Sequence, residues 1–288
     1  MQTDNEYIKV IFQHPNIEES DTNNYKSIVA TKNINFGELI ILEHAYTASN
    51  ANAQIVVSNN EILYNLYHPR VKNFEDSTSD ERLESANEKV SHNCFGLNGN
   101  KILTYGITRL NHSCNPNCSV YIQEKYNFNN TDVVFMELYA VRNISQGTEL
   151  TISYGPETAH KRDFECNCGK DLEERKQIFN TISKLSCSLS NRHHETIRTK
   201  IYEHIESING KKILLNHYLS IKGLYLNKNT IVSYTTEGEN IVNNVLRKYF
   251  GINSKIDDDT DFIGSSKMTS KKTSIFLEIL NNNILDHV

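Results

Sequence analysis

The chain has 288 residues, with 30 lysines and arginines against 35 aspartates and glutamates, a formal net charge of -5, and 38% hydrophobic and 23% charged residues. This composition excludes global disorder, and its acidic sign argues against direct nucleic-acid binding by phosphate neutralisation while favouring a basic partner. No apolar run approaches the roughly 20 residues that span a bilayer, and MQTDNEYIKV lacks a charged-then-apolar signal pattern, so an intracellular protein with no membrane role is expected, in the nucleus or the cytoplasm.

In chain order, YIKVIF reads as a short strand, HPNIEESDTNN as a polar loop, and Ser27–Thr31 and Leu39–Leu42 as two strands of a hairpin or meander turning at Asn35-Phe36-Gly37. From about residue 58 to 92 the pattern changes. Ile62, Leu63, Leu66 and Tyr67 recur at helical spacing ahead of the charged FEDSTSDERLESANEK, which predicts a helical insert. Strand signals return in ILTYGIT, SVYIQ, DVVFMELYAV and ELTISYG. Ile197, Ile201, Ile205 and Ile208 then repeat at helical spacing, as do Ile241, Val242, Val245, Leu246, Tyr249 and Phe250 before Gly251. Residues 172–288 are therefore expected to be mostly helical, with a mobile loop over 255–272. The acidic runs near 17–21, 75–84 and 257–261 read as solvated faces.

The stretch NHSCNPNC, residues 111–118, crowds an amide, an imidazole, a hydroxyl and two thiols beside Pro116. Cys114 and Cys118 stand at C-x3-C without a paired partner motif, so the stretch is no self-sufficient zinc finger. His112 and Cys114 lie two apart in a bend, a poor arrangement for a nucleophile and its base. Its chemical partners must come from elsewhere in the chain. Six cysteines in so long a chain suit reduced thiols or metal ligands better than a disulfide framework. Cys94 and Cys187 read as packing residues, and the HHE at 193–195 as the decoration of a helix start.

Taken together, SIVATKNINFGELI, ITRLNHSCNPNC, ELYAVRNISQGTELTISYG and FECNCG resemble the SET-domain protein-lysine methyltransferases over roughly residues 7–170. HNCFGL at 92–97 is similar to a segment of the split-SET, SET-and-MYND branch, although no MYND zinc finger is present. The resemblance implies an α+β chain: a β-rich SET domain, 1–170, with a threaded C-terminal segment, a helical insert and a short post-SET segment at 162–171, followed by the helical domain 172–288. It implies S-adenosylmethionine as cofactor, contacted by Lys26, Ser27, Asn111, His112, Tyr154 and Phe164. Tyr154 would be the catalytic tyrosine and Phe95 would line the substrate channel. Cys114, Cys166, Cys168 and Asp171 would hold a structural zinc, with Glu173 and Cys118 as further candidates. The implied activity is lysine methylation of a histone or another basic segment.

Methyl transfer needs alignment and a neutral amine, with no covalent nucleophile from the protein. Two departures from the family pattern stand out. Tyr25-Lys26-Ser27 occupies the place of a G-x-G that lets the backbone approach the cofactor, and the post-SET segment lacks its third cysteine. A catalytically silent SET-fold interaction module is the alternative reading.

Overall fold

The computed structural model describes residues 7–22, 25–69, 72–128, 131–155, 168–221, 224–227, 230–233, 240 and 267–268. Strand β1 (Lys9–Gln13) turns into β2 (Ile17–Thr22), which pairs antiparallel with β3 (Tyr25–Ala30). The polar stretch read as a loop is thus partly a strand, because β3 satisfies its backbone while Ile17 buries and Glu18 and Glu19 face solvent. The expected hairpin between Ser27–Thr31 and Leu39–Leu42 does not form. Gly37, at φ +87°, turns the chain into a different sheet, where β4 (Leu39–Ala48) pairs with β1.

The helical insert starts earlier than its periodicity indicates, at α1 (Asn50–Asn59), and continues through α2 (Glu61–Leu66) and α3 (Ser79–Asn93). Ser49 caps α1 by accepting from the Asn52 N–H, a signal hidden by the asparagine-rich sequence that follows. Thr78 and Glu81 form a reciprocal capping box at the start of α3. The three helices close over Tyr46 and Leu103, with Val56, Leu63, Tyr64, Ala86 and Val90 in their shared core. Lys89 is buried there. Its ammonium donates to the carbonyls of Tyr64 and Tyr67 at 2.9 Å and of Pro69 at 2.6 Å, satisfying acceptors that the end of α2 leaves open.

The main sheet is completed by β5 (Phe95–Leu97), β6 (Asn100–Leu103), β8 (Cys118–Phe128) and β9 (Thr131–Ala140), in the order β5-β6-β4-β9-β8, with β1 also on β4. Between β6 and β8 lie a 3₁₀ turn, Ile107–Arg109, and the short strand β7 (Asn111–His112); β10 (Thr151–Ile152) pairs with β7. The α+β class follows directly from these elements.

Helices α4 (Leu172–Glu206) and α5 (Ile208–Ile221) come next. They lead into a small antiparallel sheet of β11 (Leu224–Asn227), β12 (Thr230–Ser233) and β13 (Lys267–Met268). This sheet is an addition to the expected helical tail, and β13 falls within the stretch read as a loop. The helix expected over 241–250 lies outside the described residues. Among the described residues no helix is long and apolar enough to cross a membrane.

Leu189, Ile197, Ile201 and Ile205 of α4 pack on Leu39, Leu42, Phe135 and Tyr139 of the sheet. Each such burial is worth about 1.5–3 kcal/mol. His193, given no role from sequence, comes within 3.0 Å of the Gly37 carbonyl and stacks on Tyr139. Deeper in the same contact, His44 Nδ1 of β4 meets His204 Nε2 of α4 at 2.8 Å, and the His217 ring of α5 lies 5.2 Å from that of His44.

Burial holds all three imidazoles neutral, His44 well below the usual range and His204 and His217 each down to about 4. Neighbouring charge adds to this: His217 and His204 act on His44, and Lys9 on His204. Because the unfolded chain protonates first, near 6.5, the contribution of this contact is complete above that pH and falls as pH drops towards 4. Urea unfolding followed by circular dichroism should therefore show stability declining from pH 7 to 5, with a flatter decline in His217→Leu.

Candidate active site

The stretch around the NHSC motif forms by threading. Beyond Gly147 the chain runs beside β3, with Gly147 N–H donating to Ala30 O at 2.7 Å, Ala30 N–H to Thr148 O at 2.9 Å and Leu150 N–H to Ile28 O at 2.8 Å. It then lies parallel to β7, Thr151 beside Asn111 and Ile152 beside His112. Segments far apart in sequence are thereby sewn into one layer.

The side chains of NHSCNPN fasten it. The Asn111 amide donates to Lys26 O at 2.8 Å and to Glu149 Oε1 at 2.7 Å, joining β3 to the threaded segment. Asn117 donates to Glu149 O and accepts from Thr151 N–H, each at 2.8 Å, so one amide replaces a missing β-ladder neighbour. His112 Nδ1 accepts from the Tyr154 N–H at 3.1 Å. The Tyr154 hydroxyl donates to Leu110 O at 2.6 Å, and its ring lies 5.3 Å from the His112 imidazole. Tyr154 is thus held at both ends by residues of one short stretch.

Tyr154 and Phe95 both line a cavity of about 400 Å³. Leu110 and Ile152 also line it, and α4 contributes Phe179 and Ile182. Lys26, Ser27, Asn111 and His112 do not line it. They form a second group beside it, with His112 next to the cavity residues Ile152 and Tyr154. Ser27 is buried, and the Lys26 ammonium is 3.4 Å from Asn65 O and 3.8 Å from Asp21. Phe164 and Cys166 lie outside the described residues.

The expected zinc ligands are placed differently from one another. Cys114 is buried with its sulfur 3.1 Å from His112 Nε2, while Cys168 is exposed. Asp171 caps α4, its carboxylate accepting from the Glu174 N–H at 2.9 Å. Among the described residues no three His, Cys, Asp or Glu side chains gather as a metal site.

Sequence reasoning assigned no role to Glu43, Glu149 or the α4 residues Phe179, Ile182 and Ser183 in the cavity wall. Glu43 had a signal, an acidic residue inside the apolar run LIILEHAY. Phe179 and Ile182 had none, since nothing local tells which surface a distant helix will cover.

Residues 26–155 match the SET domain family. "Putative SET domain-containing protein L222" of Acanthamoeba polyphaga mimivirus is 47% identical over 277 residues, spanning 96% of this chain and 86% of that protein. A second mimivirus protein, "Putative SET domain-containing protein L678", is 30% identical over 136 residues, 44% of this chain and 48% of its own length. A Plasmodium falciparum crystal structure, described as a putative histone methyltransferase, aligns over 49% of this chain and 95% of its own at 19% identity and a TM-score of 0.31, too slight a likeness to build on. The threaded layer and its motifs are those of a SET domain. The chain belongs to the SET-domain family.

Replacing Asn117 by Ala removes both the donor to Glu149 O and the acceptor for Thr151 N–H, leaving those groups unsatisfied at a cost of about 1–3 kcal/mol. Urea denaturation should register that loss, and hydrogen exchange should show the Thr151 amide opening ahead of the β4–β9 ladder. Asn117→Asp, which keeps an acceptor, should fall between the two.

Proposed function

We propose that this chain is an S-adenosylmethionine-dependent protein-lysine methyltransferase acting on a basic, histone-like segment. The observation that carries the reading is Tyr154, pinned through its backbone by His112 and through its hydroxyl by Leu110 O, on the wall of a cavity that also presents the apolar side chains of Phe95, Leu110, Ile152, Phe179 and Ile182.

The residues present suit the cofactor. Asn111 and His112 form a half-buried polar pair beside the Glu149 carboxylate, a favourable setting for a polar cofactor with a cationic sulfonium. Lys26, Ser27, Asn111 and His112 would hold it. When bound, S-adenosylmethionine supplies an electrophilic methyl on a sulfonium. The chain's part is to present the lysine amine. Phe95, Leu110, Ile152, Phe179 and Ile182 offer apolar surface that disfavours an ammonium, whose ordinary pKa near 10.4 leaves only about one amine in a thousand neutral at pH 7. Because the Tyr154 hydroxyl spends its proton on Leu110 O, its lone pairs are available to accept from the amine N–H and aim the nitrogen lone pair. A basic substrate agrees with the net charge of -5. It also agrees with α3, where exposed Asp80, Glu84 and Glu88 recur along a helix whose last residues, His92 and Asn93, line the cavity.

One observation favours the rival module reading. Tyr25-Lys26-Ser27 replaces the expected glycines, and buried Ser27 brings a β-carbon to that strand. Calorimetry with S-adenosylhomocysteine, run beside transfer of labelled methyl to core histones, separates the two. Neither binding nor transfer would establish the module. Tyr154→Phe should keep cofactor affinity within a few fold while lowering turnover by about 10² or more, the scale of a positioned polar group in the transition state. Undiminished turnover in that variant would remove Tyr154 from the chemistry.

A further inference from the structure

The Tyr154 hydroxyl is aimed by the Leu110 carbonyl, so whatever fixes Leu110 also fixes the tyrosine. Leu110 follows directly on the 3₁₀ turn, and its N–H donates to Ile107 O at 3.2 Å. The start of that turn is gripped from beneath by one side chain. Glu43 of β4 is fully buried, and its carboxylate accepts from the successive backbone N–H groups of Tyr105, Gly106 and Ile107. The Gly106 bonds measure 3.2 Å to each oxygen, and the Ile107 bond 3.0 Å. No room is spare: a β-carbon on Gly106 would lie 3.2 Å from Val10 and 3.5 Å from the carboxylate itself.

We infer that Glu43 is a positioning residue for methyl transfer, its carboxylate holding the 105–107 backbone so that the Leu110 carbonyl meets the Tyr154 hydroxyl. This rests on the methyltransferase reading. A carboxylate has the geometry for the task, since two oxygens can accept from converging N–H groups that no neutral side chain of the same size satisfies equally.

The groups facing Glu43 are few. Arg109, at the end of the turn, is held to Glu19 at 3.1 Å and to the Tyr105 hydroxyl at 3.0 Å, and acts on Glu43 through its charge. The Tyr67 phenol stands nearby, bonded to the Thr104 backbone. The flanking strands present Val10 and Met136. Burial raises the Glu43 carboxyl to about 7, outweighing the N–H bonds and Arg109, which pull it down. Protonation turns one accepting oxygen into a donor aimed among donors, which loosens the grip.

The test compares Glu43→Gln with wild type in methyl transfer to core histones across pH 6 to 8. Ionisation of the substrate lysine is common to both and cancels in the ratio. The variant should be tenfold or more slower in kcat at pH 8 and within about threefold at pH 6, where wild type has itself lost the carboxylate. A gap below threefold at pH 8, or a ratio constant with pH, would overturn the inference.

A measurement on wild type alone covers a variant that fails to fold. The amide resonances of Tyr105 to Ile107 and of Tyr154 should titrate together with the Glu43 carboxyl near pH 7, and a stationary Tyr154 would also overturn the inference. Joint titration in a protein that transfers no methyl group would uphold the grip of Glu43 on the turn while counting against the methyltransferase reading.

Discussion

Strand β4 is buried along nearly its whole length, and it borders three separate cores. Ile40, Ile41 and Ala45 enter the central core, Leu39 and Leu42 meet the tail helices, and Tyr46 belongs to the core of the insert. Because successive side chains of a strand point to opposite faces, its two adjacent polar residues serve different partners. Glu43 takes hold of the turn before the NHSC motif, and His44 meets the imidazoles of α4 and α5. The active-site layer and the tail are therefore both referenced to one rigid backbone, and a shift in β4 register by one residue would exchange the two faces.

That arrangement gives the tail a part in the site although it lies outside the matched family segment. Helix α4 enters the cavity wall at Phe179 and Ile182, packs on the sheet at Leu189 and Ile197, and reaches His44 at His204. A single helix of 35 residues thus spans the distance from the cavity to the β4 contact. Its docking and the shape of the cavity are properties of one rigid element.

The sequence disclosed what local chemistry determines. NHSCNPN and ELTISYG were legible as partners, and the structure brings Asn111, His112 and Tyr154 together, with Tyr154 and Phe95 both lining the cavity. Strands β1, β4, β6, β8 and β9 and the helical character of α4 were legible from period and turn residues, whereas β5 and the break between α4 and α5 were not. Pairing was not. Ser27–Thr31 and Leu39–Leu42 read as a hairpin because proximity in sequence is the usual guide, whereas β3 prefers β2 and the threaded segment. Asp171 stands where the resemblance implies a zinc ligand, and a carboxylate three residues ahead of Glu174 is also the start of a capping box, which is the contact it makes. Glu43 could be flagged as an acid in an apolar run, yet its three N–H donors lie 62 to 64 residues away.

The threading of residues 147–152 between β3 and β7 also fixes the order in which the molecule can be built. The Asn111 amide reaches back 85 residues to Lys26, but His112 reaches forward 42 to Tyr154, so the second contact cannot be made from a nascent chain that ends at the NHSC motif. Synthesis at roughly 5–20 residues per second leaves β3 and β7 for seconds with unpaired edges, open to any other extended segment in reach. Loop closures this long are slow, so the site should be among the last parts of the domain to become native. A chaperone that shields exposed strand edges would act on this protein most during that interval, before the final strand has slid into place.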